Sequence, residues 1–130
     1  MPIALDTSVV VRLLIGVPVD QFAAARHRLS DAHALGESVL VSDLVVMEAY
    51  HALRHHYHVQ ENEARASLAA FLSSGLVESD PAGIAEILTD SRRAPGLADR
   101  LILRRSLVRG ATLLTMDRRQ ARLEGAELLR

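Results

Sequence analysis

At 130 residues, almost half of them apolar and with a formal net charge of −1, the chain fits one domain, 1–130, with one core. That balance excludes both a disordered polymer and a polycation drawn to nucleic acid by bulk charge. Cysteine is absent, which removes disulfides, thiolate metal sites and cysteine nucleophiles; lysine is absent too, which removes Gly-Lys phosphate loops, Schiff-base lysines and lysine general bases. No apolar run approaches the roughly 20 residues of a membrane span, and residues 1–4 set no basic segment ahead of an apolar stretch. The expectation is a cytoplasmic chain without a secretion leader.

Ile3 to Asp6 reads as a short buried strand and Thr7 to Ile15 as a helix, broken by Gly16-Val17-Pro18. A second helix runs from about Asp20 to Leu35, with Phe22, Ala25, Leu29 and Ala32 on its inner face and Gly36 at its end. Ser38 to Val41 forms the next strand, and Ser42 and Asp43 cap a helix that continues through Leu53 toward Tyr57. Gln60 opens a helix with Glu61 and Glu63 in its first turn, an apolar stripe of Ala64, Leu68, Phe71 and Leu72, and a stop at Gly75. Leu76 to Glu78 is a brief strand, and Asp80-Pro81 begins a helix to about Leu88. After the Pro95-Gly96 loop come a helix over Ala98 to Val108, a strand over Ala111 to Thr115, a short helix from Arg118 and a last strand over Ala126 to Leu129. Strands alternating with helices imply a mainly parallel sheet covered on both faces.

In such sheets ligands bind beyond the carboxyl ends of the strands. Asp6 ends the first strand, Asp117 follows the fourth, and Asp99 starts the helix that leads into the fourth. If strands one and four are neighbours, these three acids converge. Glu48 sits in Leu44-Val45-Val46-Met47-Glu48-Ala49-Tyr50, a helix apolar almost all round, where a buried carboxylate is costly unless it is paired or bound to a cation. A rim position or a salt bridge to arginine is the competing explanation. Gathering carboxylates is unfavourable by itself, since two unit charges ~4 Å apart repel by ~4 kcal/mol at an effective dielectric near 20. A hard divalent ion, Mg²⁺ or Mn²⁺, reverses that sign and supplies a phosphoryl-polarising, water-activating centre. Between Arg92 and Arg122 nine arginines accompany only Asp99 and Asp117, a distribution that suits either a polyanion site or a solvated face.

Four segments, in order and at fitting spacing over nearly the whole chain, resemble the PIN-domain nucleases and, within them, the VapC-type toxins of toxin–antitoxin pairs. They are LDTSVVVRLL (Leu5 to Leu14), VSDLVVMEAYHAL (Val41 to Leu53), LADRLILRRSL (Leu97 to Leu107) and ATLLTMDRR (Ala111 to Arg119). The resemblance implies a three-layer α/β/α sandwich around a central, mainly parallel sheet of about five short strands, with strands one and four adjacent. It also implies Mg²⁺- or Mn²⁺-dependent RNA cleavage, a homodimer and a cognate antitoxin. Asp6, Asp99 and Asp117 are then the main metal-side carboxylates, with Glu48 completing the cluster. Thr7, Ser8 and Thr115 are candidates for the metal shell or the phosphate, against the simpler role of capping and turn bonding. Arg100 and Met116 depart from the family pattern, which usually has a small residue and an aromatic one there; Arg100 either contacts phosphate or pairs with an acid and dampens metal binding.

His51, His55 and His58 fall at i, i+4 and i+7 with His56 beside them, a spacing that suits either one zinc held by two imidazoles or favourable placement at a helix carboxyl end. With only two phenylalanines and two tyrosines, an extended base-stacking platform is not expected, so RNA is held mainly through its phosphates. Two other classes compete. A phosphoacceptor domain using Asp6 lacks the late lysine of receiver domains, and Ser8 stands where haloacid-type phosphatases need a second aspartate. A catalytically silent PIN-like scaffold retains the fold without the reaction.

Overall fold

The computed structural model describes residues 2–130; Met1, the first residue of the segment expected to carry no leader, lies outside the described residues. The backbone clusters into two compact units, one running through Thr89 and one from Asp90 to Arg130. The first contains β1 (Ile3–Ala4), α1 (Thr7–Ile15), α2 (Val19–Ala34), β2 (Val39–Ser42), α3 (Asp43–His51), α4 (Glu61–Leu72), β3 (Glu78–Asp80) and α5 (Ile84–Thr89). The second contains α6 (Leu97–Val108), β4 (Leu113–Thr115), a 3₁₀ turn over Gln120–Arg122 and β5 (Ala126–Leu128).

The strands pair in parallel throughout, in the α/β architecture expected of a PIN-like fold. In the first unit β2 lies between β1 and β3, with Ile3 opposite Val39 and Leu40 opposite Glu78. That central place explains its composition: Val39 and Val41 are buried, as β-branched side chains on a covered pleat should be. In the second unit β4 pairs with β5, Leu113 opposite Ala126. The described strands thus form two ladders, of three and two strands, where one continuous sheet was expected.

The helices bury the stripes their periodicity marks. In α2, Leu29 and Ala32 are buried; in α4, Ala64, Leu68 and Leu72 are. With Val10, Val46, Leu53, Ile84 and Leu88 they make the core of the first unit. Gly16 ends α1 in the left-handed region at φ 82°, its N–H bonded to the Arg12 carbonyl at 2.8 Å, a conformation that favours a residue without Cβ. Ser42 caps α3 by accepting the Val45 N–H at 3.2 Å.

Two expectations are corrected. The third strand is Glu78–Asp80, two residues later than the local pattern indicates, because it takes its register from β2, with Asp80 opposite Ser42. Asp80 is therefore a strand residue, and the helix that Asp80-Pro81 was expected to start begins at Ile84. Tertiary pairing overrides the local capping signal here. The α3 helix also does not run on unchanged: from Ala52 to His56 the chain is π-helical, and the Tyr57 N–H reaches the Ala52 carbonyl at 3.2 Å while Leu53 is buried. No single helix among the described residues is long and apolar enough to cross a membrane.

Arg65 on α4 is 3% exposed, yet its Nε and Nη1 have no hydrogen-bond partner among the described residues. Its charge is met by Glu61 at 3.5 Å and by the face of Tyr50, 5.9 Å from the ring centroid. A buried guanidinium so incompletely satisfied contributes little net stability, since desolvation offsets the attraction. Arg65→Met is therefore expected to leave the thermal unfolding midpoint unchanged or raised. Leu68→Ala, on the same helix, should lower stability by about 2–5 kcal/mol through the cavity it leaves.

Candidate active site

Asp6 occupies the N-cap position of α1, where an aspartate ordinarily spends its side chain on the first free N–H groups. Its carboxylate makes no capping bond; instead its carbonyl accepts the Val9 and Val10 N–H groups at 3.1 and 3.2 Å. The carboxylate is exposed and available, at a helix end whose dipole favours an anion. Thr7, in the first turn, donates from Oγ1 to Glu48 Oε1 at 3.2 Å, linking α1 to α3 across 41 positions of sequence. The residue after Asp6 thereby holds the second acid in place. Ser8 turns away from this pair and lines a groove of about 570 Å³ with Val9, Arg12 and residues of β1 and α2.

Glu48 requires a correction of argument. It is exposed, not buried: α3 covers Val46 and Ala49 and leaves Leu44 73% exposed. The apolar neighbourhood therefore did not imply a costly charge, and the rim position was the right alternative. What sets Glu48 apart is its bond to Thr7.

In the second unit Asp99 stands in the first turn of α6 and is half-buried. Its carbonyl, not its carboxylate, accepts Gln120 Nε2 at 3.1 Å. Asp117 follows β4 and is exposed; its Oδ1 accepts the N–H groups of Arg119 at 2.8 Å and Gln120 at 3.3 Å. Thr115 Oγ1 accepts the Asp117 N–H at 3.0 Å and donates to Gln120 Oε1 at 2.8 Å. Thr115 thus performs turn bonding, the simpler of its two expected roles. Gln120 lies one residue beyond the fourth motif and yet is the buried centre of this arrangement. A signal for it exists: it comes three residues after Asp117, the spacing at which a capping residue is answered by Glu or Gln.

Arg100 is buried, with Nε on the Pro95 carbonyl at 2.9 Å, Nη2 near the Ala94 carbonyl at 3.4 Å and Nη1 3.6 Å from Asp90. Its guanidinium is committed to the segment that leads into α6, so it fixes the start of the helix that carries Asp99. Of its two expected roles this geometry matches pairing with an acid, and that acid is Asp90. Arg118, Arg119 and Arg122 remain exposed around Asp117. His51, His55, His56 and His58 are all exposed; the His51 and His55 rings stack at 5.6 Å and 22°, face to face rather than converging. Among the described residues no three His, Asp or Glu side chains are grouped to hold a metal ion. Hydrogen bonds instead link Glu48 to Thr7, the residue after Asp6, in one unit, and Asp99 to Asp117 through Gln120 in the other.

A family model described as PIN domain matches residues 3–126, a span that includes all four acids. The chain belongs to the PIN-domain family. No curated protein and no solved structure matches it significantly. PIN domains are typically nucleases and usually use divalent metals, so membership places the chain, at that coarse level, among hydrolases of nucleic acid. Taken residue by residue, the chemistry of the candidate acids suits such a cation. All four candidate ligands are hard carboxylate oxygens, with neither thiolate nor imidazole among them, as Mg²⁺ and Mn²⁺ prefer. Asp6 and Asp99 also keep their carboxylates clear of the hydrogen bonds that hold their backbones.

The Asp90 tether has a pH signature. Hydrogen bonds from the Arg92 side chain, at 3.1 and 2.7 Å, and from its backbone, at 2.9 Å, hold the Asp90 carboxyl well below the usual carboxylate range; the charges of Arg92 and Arg100 add to this. A carboxyl depressed in the folded state contributes stability that is fully present above its unfolded pKa of about 3.9 and is lost as pH falls toward the folded value. Amide exchange at Arg92, corrected for its intrinsic pH dependence, should therefore stay slow from neutral pH to about 4 and accelerate below it. Asp90→Ala, which removes the acceptor, should show fast exchange throughout.

Proposed function

We propose that this PIN domain is a Mg²⁺- or Mn²⁺-dependent endoribonuclease and the toxin component of a toxin–antitoxin pair, acting in the cytoplasm as a homodimer restrained by a cognate antitoxin. The observation that carries the reading is the retention of an acid in every motif across a family match spanning residues 3–126. In this reading Asp6, Asp99 and Asp117 would supply carboxylates to the cation, joined by Glu48, which Thr7 orients. It is the motif order that assigns the two pairs to one reaction.

When bound, such a cation polarises a phosphoryl oxygen and lowers the pKa of a coordinated water for in-line attack on a phosphodiester. The protein's own residues supply the rest. Exposed Arg118, Arg119 and Arg122, beside Asp117, present guanidinium groups that pair with phosphates in bidentate fashion. With few aromatics to stack bases, selectivity comes from the shape of the RNA. The RNA preference and the toxin role follow from the resemblance of the four motifs to VapC-type proteins.

A second reading, a catalytically silent PIN-like scaffold, draws on the absence of a three-ligand group among the described residues. Cleavage mapping on structured RNA separates the two. With Mg²⁺ or Mn²⁺ the wild-type chain should give defined cuts, and EDTA, Asp6→Asn and Asp99→Asn should each abolish them while leaving thermal unfolding nearly unchanged. Intact RNA after metal add-back to wild-type protein favours the scaffold, and cuts that persist in Asp99→Asn remove Asp99 from the reaction.

A further inference from the structure

Gln120 is 6% exposed, and its side chain joins the end of β4 to the first turn of α6 while its backbone reaches Asp117. Oε1 accepts the Thr115 hydroxyl from the end of β4 at 2.8 Å, Nε2 donates to the Asp99 carbonyl in the first turn of α6 at 3.1 Å, and its backbone N–H reaches Asp117 Oδ1 at 3.3 Å. The orientation of the amide is dictated by its partners. Turning it over would set Oε1 against the Asp99 carbonyl, two acceptors facing one another in a buried place, where an unmade bond costs the most. Thr115, fixed in this way, passes the constraint on by accepting the Asp117 N–H at 3.0 Å.

We propose that Gln120 is the positioning residue of the Asp99–Asp117 pair: its buried amide sets the separation of the two acids by binding the backbone of one directly and the turn carrying the other through Thr115. This rests on the metal-dependent reading above and deepens it. Gln120 uses no carboxylate oxygen of Asp99 and leaves one of Asp117 clear, so it orders the pair while leaving oxygens for a cation. Only Gln, among side chains of this length, offers an acceptor to Thr115 and a donor to Asp99 at once. Glu keeps the acceptor, loses the donor and adds a third negative charge beside the pair.

The test compares the wild-type chain with Gln120→Met, which keeps length and apolar volume but neither hydrogen bond, and with Gln120→Glu. Mn²⁺ is titrated against each, with free Mn²⁺ read by electron paramagnetic resonance; thermal unfolding and RNA-cleavage kinetics are measured on the same samples. The proposal expects Mn²⁺ affinity to fall by roughly 10–100-fold in Gln120→Met, in the range seen when outer partners of metal ligands are removed. It expects kcat to fall with KM little changed, since the phosphate-binding arginines are untouched. Gln120→Glu should lose kcat likewise, despite its extra carboxylate. Wild-type Mn²⁺ affinity and kcat in a folded Gln120→Met overturn the role of Gln120 alone. A wild-type chain that binds no Mn²⁺ overturns both this proposal and the reading beneath it. Should Gln120→Met fail to fold, Gln120→Glu decides by the same comparison.

Discussion

Carboxylates brought near one another repel, and the groups that hold them must do so without consuming the oxygens a cation needs. In this chain two of the four candidate acids are held by their backbones and two by one carboxylate oxygen each. Asp6 caps α1 with its carbonyl and leaves its side chain clear; Asp99 is held by its carbonyl, through Gln120. Asp117 gives one oxygen to the turn that follows it, and Glu48 gives one to Thr7. Around these four residues the neutral donors are a threonine hydroxyl, a glutamine amide and main-chain N–H groups. None of them competes with a metal ion as a buried arginine would. Arg100, buried next to Asp99 in sequence, is turned instead onto the 94–95 carbonyls and Asp90.

Placing acids at strand ends and first helical turns has a physical reason. The N-terminal turn of a helix presents unpaired N–H groups and a positive dipole end, so Asp6 and Asp99 are charged where the backbone tolerates charge best. The scaffold beneath can then remain apolar: Val39, Val41, Val46 and Leu68 are buried behind α1 and α3 without polar interruption. Arg65 is the exception, and its partial satisfaction shows the consequence of placing a charge in that core.

What the sequence made readable was local. The span of α1 came out residue for residue, because Gly16 ends it sharply; the Ser42 cap and the parallel pairing followed from capping chemistry and alternation. What it hid was set by partners distant in sequence. The register of β3 depends on β2, so Asp80 looks like a helix cap and is a strand residue. The exposure of Glu48 depends on which face of α3 meets the core, which the near-continuous apolar run around it does not mark. Gln120 sits among arginines just beyond the last motif, and its importance comes from two bonds, one of them reaching back 21 positions to Asp99. Family resemblance singled out the four acids; it carried no information about what holds them.

The central proposal is that the acids of the four motifs serve a divalent cation. Amide resonances of ¹⁵N-labelled protein, recorded while Mn²⁺ is added below equimolar amounts, test it most directly, because the paramagnetic ion broadens only its near neighbours. The account predicts that amides beside these acids, Thr7 and Ser8 in one unit and Asp117 to Gln120 in the other, broaden at such Mn²⁺ concentrations. Broadening confined to His51–His58, or absent around every one of these acids, would contradict it.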